Sequence, residues 1–279
     1  MTRLTQSARF VAAVAMVVGF QIVGSQLVEA ARPIKNTKFD PDAKQVEMFA
    51  AMESGEIKTN PIAKNSLGGN LLITNETDEP ISVKIPPGFV VAPLAQFGGG
   101  GGGGFGGQQG GQGGQGGGQQ AAGGGQGGQQ GGIGGQQGGG GGGFFSIPPK
   151  KTLSVPYTSV CLQHGLDEPH PRSKYIVIPS EKFTQDPVLL TLIDMVATGK
   201  VNSVAAQAAA WHLSDGMTWQ QLAAKKYDRV GARDTPYFSH AQLMGAQQVV
   251  AAAKQIADNG GLYPEKDEVE QPTRVRASR

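Results

Sequence analysis

The fold class follows from the stretch NLLITNETDEPISVKIPPGFVVAPL (70–94), in which apolar residues alternate with polar ones on both sides of a turn-forming segment. The alternating apolar positions are Leu71, Ile73, Ile81, Val83 and Ile85. A period of two is typical of half-buried strands, and the NETDEP segment between the two runs is rich in turn formers. The stretch therefore predicts a hairpin with strands over 70–74 and 80–85.

Further strands are predicted beyond a long polar tract. In FFSIPPKKTLSVPYTSVCLQ (144–163) the apolar residues again alternate, and KYIVIP (174–179) is another short β-branched run. Neither side of the tract supplies enough strands for an independent core. Both sides are therefore assigned to one antiparallel β-sandwich-like part over 66–179.

The tract between these strands, residues 98–143, consists almost entirely of glycine and glutamine. Its 46 residues include 31 glycines and 11 glutamines, and none is charged. Because such a segment has almost nothing to bury, we expect a long disordered Gly/Gln-rich insertion at the surface of the β domain. Gln-rich polar segments also self-associate, so this loop is the candidate contact region for a protein or cell-surface partner.

Residues 180–261 show helix boundary signals and the helical period instead. The predicted helices cover 186–200, 202–216, 218–226 and 239–261. Their start signals are Asp186-Pro187, Asn202, and the capping-box pairs Thr218/Gln221 and Ser239/Gln242. These signals predict a small α-helical part that follows the β part in the chain.

The N-terminal segment, 31–65, is predicted to contain one amphipathic helix over DPDAKQVEMFAAMESGEI (40–57). The tail, 262–279, is charged and is expected to be disordered. Together these assignments predict an α+β protein. An antiparallel β-sandwich-like part carries the disordered insertion, and a small α-helical part follows it.

The first 30 residues have the pattern of a secretory signal peptide. Arg3 and Arg9 precede the apolar run FVAAVAMVVGFQIVG (10–24), and Val28 and Ala30 have the spacing that a signal peptidase accepts. No later segment is apolar for long enough to cross a membrane. We therefore expect an exported chain, periplasmic or at the cell surface, with no membrane span after cleavage. The formal net charge of +2 gives no sign of nucleic-acid binding.

The segment YTSVCLQHGLDEPHPRSKY (157–175) contains the one cysteine of the chain and two of its four histidines. Cys161, His164 and His170 are ligand types that suit zinc or copper, and the C-x2-H spacing is compatible with chelation. The alternative interpretation is a buried strand cysteine followed by a loop with proline and glycine. A catalytic cysteine–histidine pair would also need a base within reach and an orienting group, which spacing alone does not establish.

Gln207 lies in the Ala-rich helix VAAQAAAWHLSDG (204–216), where it shares a face with Trp211. A buried amide needs hydrogen-bond partners, so an inward glutamine among alanines is notable. The segment resembles the Q-x-A-x-W…D-G helix of thioester domains in bacterial surface adhesins, in which a cysteine thiol and a glutamine side chain form an internal thioester that captures host nucleophiles. That resemblance implies Gln207 as acyl donor and Cys161 as its thiol partner, although Ala206 stands where that family usually has threonine.

Over most of the mature chain, the order of motifs resembles a group of uncharacterised exported bacterial proteins. The shared features are the signal peptide, the NxTDxP loop, the Gly/Gln-rich insertion, VCLxHGxxxPxPR (160–172) and QAAAWHLxxGxxW (207–219). The resemblance implies the architecture and export, and it brings no activity.

The sequence therefore favours an exported, non-enzymatic structural or interaction protein of the periplasm or cell surface, with no cofactor. One alternative is a surface protein that attaches covalently through a Cys161–Gln207 thioester. The other is a metal-binding protein that uses Cys161, His164 and His170.

Overall fold

A computed structural model describes residues 32–35, 37, 39–97, 120–125, 143–227, 231 and 233–263. Its strands are β1 Lys44–Glu47, β2 Ile57–Asn65, β3 Gly68–Asn75, β4 Ile81–Lys84, β5 Phe89–Pro93, β6 Ala122–Gly125, β7 Phe144–Ile147, β8 Thr152–Cys161, β9 Tyr175–Ile178, β10 Lys226–Tyr227 and β11 Thr235–Pro236. Its helices are α1 Met48–Glu53, α2 Leu94–Phe97, α3 Ser180–Phe183, α4 Pro187–Ala197, α5 Ser203–Ser214, α6 Trp219–Ala224 and α7 His240–Asp258. The predicted signal peptide, most of the predicted insertion and the tail from residue 264 lie outside the described residues.

The predicted α+β class with mostly antiparallel sheets is confirmed. A six-stranded antiparallel sheet has the order β2-β3-β8-β6-β5-β9, and β9 contacts β2, so the sheet nearly closes on itself. A second sheet has the order β1-β4-β7, in which β1 runs parallel to β4 and β7 runs antiparallel to it. Near-closure protects the edges at which strands of other chains would pair.

Two clusters of buried side chains lie on the two faces of the six-stranded sheet, and strand β5 contributes to both. Phe89 and Val91 belong to the cluster shared with the three-stranded sheet, whereas Val90 and Ala92 belong to the cluster shared with the helices. Strand β5 is therefore buried on both faces, as its unbroken apolar sequence FVVAP indicates. Because helices α4 and α5 pack on the outer face of the sheet and α7 packs on both of them, the helical part and the β part share one core.

The helix predicted over 40–57 is wrong for most of its length. Residues Lys44–Glu47 form β1, which pairs with β4, and the helix that follows ends at Glu53 before β2 starts at Ile57. Met48 and Ala51 of α1 are buried, so the apolar helical face exists only over this short segment. Pairing with a strand distant in sequence overrides the local helical period in β1.

The predicted hairpin is also wrong, although both of its strands exist. Strand β3 lies between β2 and β8, whereas β4 lies between β1 and β7 in the other sheet. The buried side chain of Asn75 holds the connection: its Nδ2 donates to Glu79 O at 2.8 Å and to Ile147 O at 3.0 Å, and its Oδ1 accepts from Thr77 N at 2.8 Å. These bonds direct the chain out of one sheet and into the other.

The predicted surface insertion, 98–143, differs from expectation at one place. Residues Ala122–Gly125 form β6, which pairs with β5 on one side and with β8 on the other, in the middle of the six-stranded sheet. Ala121 and Ala122 are fully buried there. Backbone hydrogen bonds hold this segment from both sides, a contribution that composition does not reveal because every residue carries the same backbone groups.

Glycine is required in β6 because neighbouring atoms occupy the space of a side chain. A Cβ atom on Gly124 would overlap the carbonyl oxygen of Thr158 in β8. A Cβ atom on Gly125 would overlap the carbonyl oxygen of Pro87 and lie 2.6 Å from the Cβ atom of Ala197 in α4. Helix α4 thus packs directly against the backbone of β6, at a distance that any side chain there would prevent.

The four predicted helices of the C-terminal part are confirmed as α4 to α7. Asp186 and Asn202 cap α4 and α5 by accepting hydrogen bonds from backbone N–H groups, and both predicted capping boxes form at the starts of α6 and α7. These local bonds satisfy N–H groups that have no partner within their own helix. Among the described residues, no helix is both long enough and apolar enough to cross a membrane.

We expect Gly124→Ala to lower the free energy of unfolding by about 2–3 kcal/mol, because the added methyl group overlaps the backbone of β8. Gly245→Ala in α7 is the matched control. Its added Cβ would approach nothing closer than Ala205 Cβ at 3.5 Å, and alanine suits a helix better than glycine. Urea unfolding measures both variants. A Gly124→Ala chain as stable as the wild type would contradict the position of β6 in the sheet.

Candidate functional site

Cys161 ends β8 at a point where the sheet loses one neighbouring strand. Ala122 of β6 faces Cys161 on one side, but on the other side β3 pairs with β8 only as far as Thr158. Leu162 N donates to Ala121 O at 2.9 Å, which makes Ala122 and Cys161 a non-hydrogen-bonded pair. The N–H and C=O groups of Cys161 therefore point away from β6 and need partners from outside the sheet.

Gln207 of α5 supplies both partners. Its Oε1 accepts a hydrogen bond from Cys161 N, and its Nε2 donates to Cys161 O, each at 2.8 Å. The side-chain amide thus takes the place of one peptide unit of the missing strand. The neighbours of Gln207 in the buried part of α5 are mostly alanines, whose small side chains allow the helix to lie close to the sheet. This pair of bonds satisfies the donor and the acceptor of a buried amide.

The thiol of Cys161 is buried among apolar side chains, and the residue is 1% exposed. Burial, and after it the negative charge of Glu168, raises the pKa of this thiol to about 12. The reactive form of a cysteine is the thiolate, and reactive cysteines have a lowered pKa. At neutral pH Cys161 is therefore protonated and unreactive while the protein stays folded.

The three residues predicted as metal ligands do not come together. Cys161 lies in the core, while His164 Nε2 lies 3.0 Å from Lys225 Nζ. The His170 ring lies in an exposed loop, with its Nε2 3.4 Å from Ser173 Oγ. Within the part of the chain that the structure describes, no group of three or more His, Cys, Asp or Glu side chains could hold a metal ion.

His164 instead belongs to a cluster of aromatic rings around Lys225. The ammonium of Lys225 lies 5.3 Å from the ring centroid of Trp211 and 5.0 Å from that of Tyr237, within the range of cation–π attraction. An ammonium group only donates hydrogen bonds, so His164 Nε2 accepts and the imidazole is neutral. Burial, and next the charge of Lys225, lower the pKa of His164, while Asp215 opposes them. The cluster therefore depends on a neutral imidazole.

Sequence reasoning missed Lys225, Tyr237 and Asp194. Tertiary packing places Lys225 against both His164 and Tyr237, and no local motif joins the three residues. Asp194 is the one charged residue of helix α4, where burial, and after it the charge of Glu181, raise the pKa of the carboxyl group to about 6. The one available signal was an acidic residue within the apolar sequence PVLLTLIDMVA.

Comparisons with protein-family models, with curated proteins and with solved structures find no match to this chain.

The contacts of Gln207 and Lys225 connect helices to neighbouring parts of the fold. Gln207 joins α5 to the end of β8, and the rings around Lys225 fasten the chain after α6 to α5. The Gln207 side chain thus connects α5 to the sheet, and the Lys225 side chain connects the end of α6 to α5.

We expect Gln207→Leu to lower the free energy of unfolding by about 2–4 kcal/mol, because it leaves the buried N–H and C=O groups of Cys161 without partners. Gln247→Leu on the exposed face of α7 is the matched control and should change stability by less than about 0.5 kcal/mol. Thermal or urea unfolding measures both. Equal stability of the two variants would exclude the bridging role of Gln207.

We expect the Cys161 thiol to resist a thiol reagent at pH 8 in the folded chain and to titrate as one thiol per chain after unfolding. Its pKa rises from 9.0 to about 12 on folding, so this contribution to stability is complete below pH 9 and is lost between pH 9 and 12. The wild type should lose about 1.4 kcal/mol more per pH unit in that range than Cys161→Ala. Rapid labelling of the folded wild type would contradict the buried, protonated thiol.

Proposed function

We propose that this chain is an exported, non-enzymatic interaction protein of the periplasm or cell surface, and that its folded body presents the Gly/Gln-rich tract as the contact region. The observation that carries the proposal is the position of β6. This strand divides the tract into two segments, 98–119 and 126–142, and ties the middle of the tract to the centre of the sheet.

The anchoring of the tract supports a contact role over that of a simple spacer. A spacer needs attachment only at its two ends, and its role does not require that the middle of the segment be buried in the core of the protein. Here residues 120–125 are buried, and Gly124 and Gly125 occupy a space that excludes side chains. The sequence continues on each side of this anchored segment with five glutamines, whose side-chain amides can each donate and accept hydrogen bonds.

The use of the other polar groups supports a role without catalysis. Gln207 holds the backbone of Cys161, the thiol of Cys161 is protonated, and His164 accepts a hydrogen bond from Lys225. Each of these residues has a structural partner that accounts for its position. Export is expected from the signal-peptide pattern of the first 30 residues.

The internal thioester is the second candidate, and one observation favours it: the Gln207 side chain lies on the residue that carries the thiol, within hydrogen-bond distance of the backbone N and O atoms of Cys161. In that reaction the thiol and the carboxamide would form a thioester and release one ammonia. The bond would also remove the amide donor from Cys161 O. Intact-mass spectrometry separates the two candidates, because a thioester leaves the chain short by one ammonia and without a free thiol on unfolding.

The contact role is tested by changing the ten glutamines of 98–119 and 126–142 to serine in the chain from residue 31 onward, with Gln120 kept. Serine removes the amides and keeps the length of both segments. We expect this variant to keep its circular dichroism spectrum and to lose most of its co-sedimentation with washed cell-envelope particles of the producing organism.

The matched control changes three exposed glutamines of α7, Gln247, Gln248 and Gln255, to serine. We expect this control to sediment with the envelope like the wild type, because its Gly/Gln-rich segments are intact. Wild-type sedimentation of the ten-serine variant would reject the contact role of the tract.

A further inference from the structure

Strand β6 contributes few side-chain contacts to the place it occupies. Ala121 and Ala122 are the largest side chains buried between residues 121 and 125, and the remaining three residues are glycines. The strand is held mainly by its backbone, through register pairs with β5 and β8 on its two sides. Those hydrogen bonds can re-form with any strand of the same sequence in the same place.

The space between β5 and β8 nevertheless fits the sequence of residues 120–125 specifically. Gln120 Nε2 donates to Leu166 O at 2.8 Å, Gln120 N donates to Asp167 O at 2.9 Å, and Ala121 N donates to Gln163 Oε1 at 2.8 Å. Beyond Ala122, Gly124 cannot be replaced without overlap. The sequence QAAGGG occurs once in the chain, at 120–125, so no other part of the tract has the same fit.

Long connections join this segment to the rest of the body. The segment 98–119 has 22 residues and the segment 126–142 has 17 residues. Fully extended, they span at most about 75 Å and 60 Å, whereas the six residues of the anchored segment span only about 20 Å. The connections are therefore long enough for residues 120–125 to reach the same place in a neighbouring molecule.

We propose that residues 120–125 exchange between copies of this chain, so that the QAAGGG segment of one copy forms β6 in the sheet of another. The inference rests on the proposed contact role of the tract and names its partner as a second copy of the chain. The same hydrogen bonds form whether β6 comes from the same chain or from another copy. The free-energy cost of exchange is therefore mainly the translational and rotational entropy that two chains lose when they form a dimer. Its extent depends on chain concentration relative to the effective concentration of the chain's own segment, which is on the order of millimolar for connections of this kind.

The register of β6 provides a direct test, because Ala122 faces Cys161 across a non-hydrogen-bonded pair. In such pairs the Cα atoms approach to about 4.5 Å, a separation that a disulfide can bridge. The donor chain carries Ala122→Cys and Cys161→Ala, and the acceptor is the wild-type chain. Each has one cysteine, so a disulfide between positions 122 and 161 can form only between two copies.

The two full chains are refolded together from urea in a glutathione redox buffer over a range of concentrations. We expect a disulfide-linked heterodimer whose 122–161 bond is identified by peptide mass spectrometry. A tenfold rise in chain concentration should raise the trapped fraction about tenfold below the millimolar range. The matched control donor carries its cysteine at the exposed position Ala241, with Cys161→Ala, and should give almost no bond to the buried Cys161.

A single chain with Ala122→Cys and the native Cys161 shows that the bond itself can form. If that chain closes its disulfide within the monomer and the mixed pair gives none, exchange is rejected. Independently, sedimentation of the wild type must show dimers that increase with concentration, and a strict monomer at about 1 mM also rejects exchange. Neither result bears on envelope binding by the glutamines of 98–119 and 126–142, so the contact role and the exchange fail separately.

Discussion

The β part of this protein depends on a narrow space between β5 and β8, in which neighbouring backbone atoms leave no room for a Cβ atom on Gly124 or Gly125 of β6. Without β6, the six-stranded sheet would divide into a β2-β3-β8 piece and a β5-β9 piece, each with an unpaired edge in the core. Helix α4 would also lose the backbone surface against which Ala197 packs. Hydrogen bonding of the main chain, rather than the burial of large apolar groups, therefore joins the two halves of the sheet.

Gln207 meets a related need at the end of β8. There the sheet supplies a partner for Cys161 on one side only, and an amide from α5 replaces the neighbour that β3 does not provide. The helix layer is thus connected to the sheet by directional bonds as well as by apolar packing. The alanines around Gln207 have the same purpose as the glycines of β6, since both allow close approach of one backbone to another structural layer.

Local signals predicted the parts of the fold that local bonds determine. Asp186, Asn202 and the two capping boxes fix the starts of four helices, and all were readable from sequence. The pairings of β1, β3 and β4 could not be read in this way, because each depends on strands distant in the chain. The resemblance of 204–216 to thioester domains implies a pairing of Cys161 with Gln207. The contact in the structure, between the Gln207 side chain and the Cys161 backbone, depends on the packing of α5 on β8 and could not be predicted from the sequence.

The Gly/Gln-rich tract is bound to the sheet over one short segment, and this has a consequence for how much the length of the tract can differ among natural variants. Six residues are bound by the sheet, and in the sequence 22 residues of the tract precede them and 17 follow them before Gly143. Doubling the length of a loop costs only about 0.6 kcal/mol in closure entropy. A longer or shorter Gly/Gln-rich segment on either side of QAAGGG should therefore change the free energy of folding very little. Natural selection on the length of the tract can then act on the distance that the tract spans.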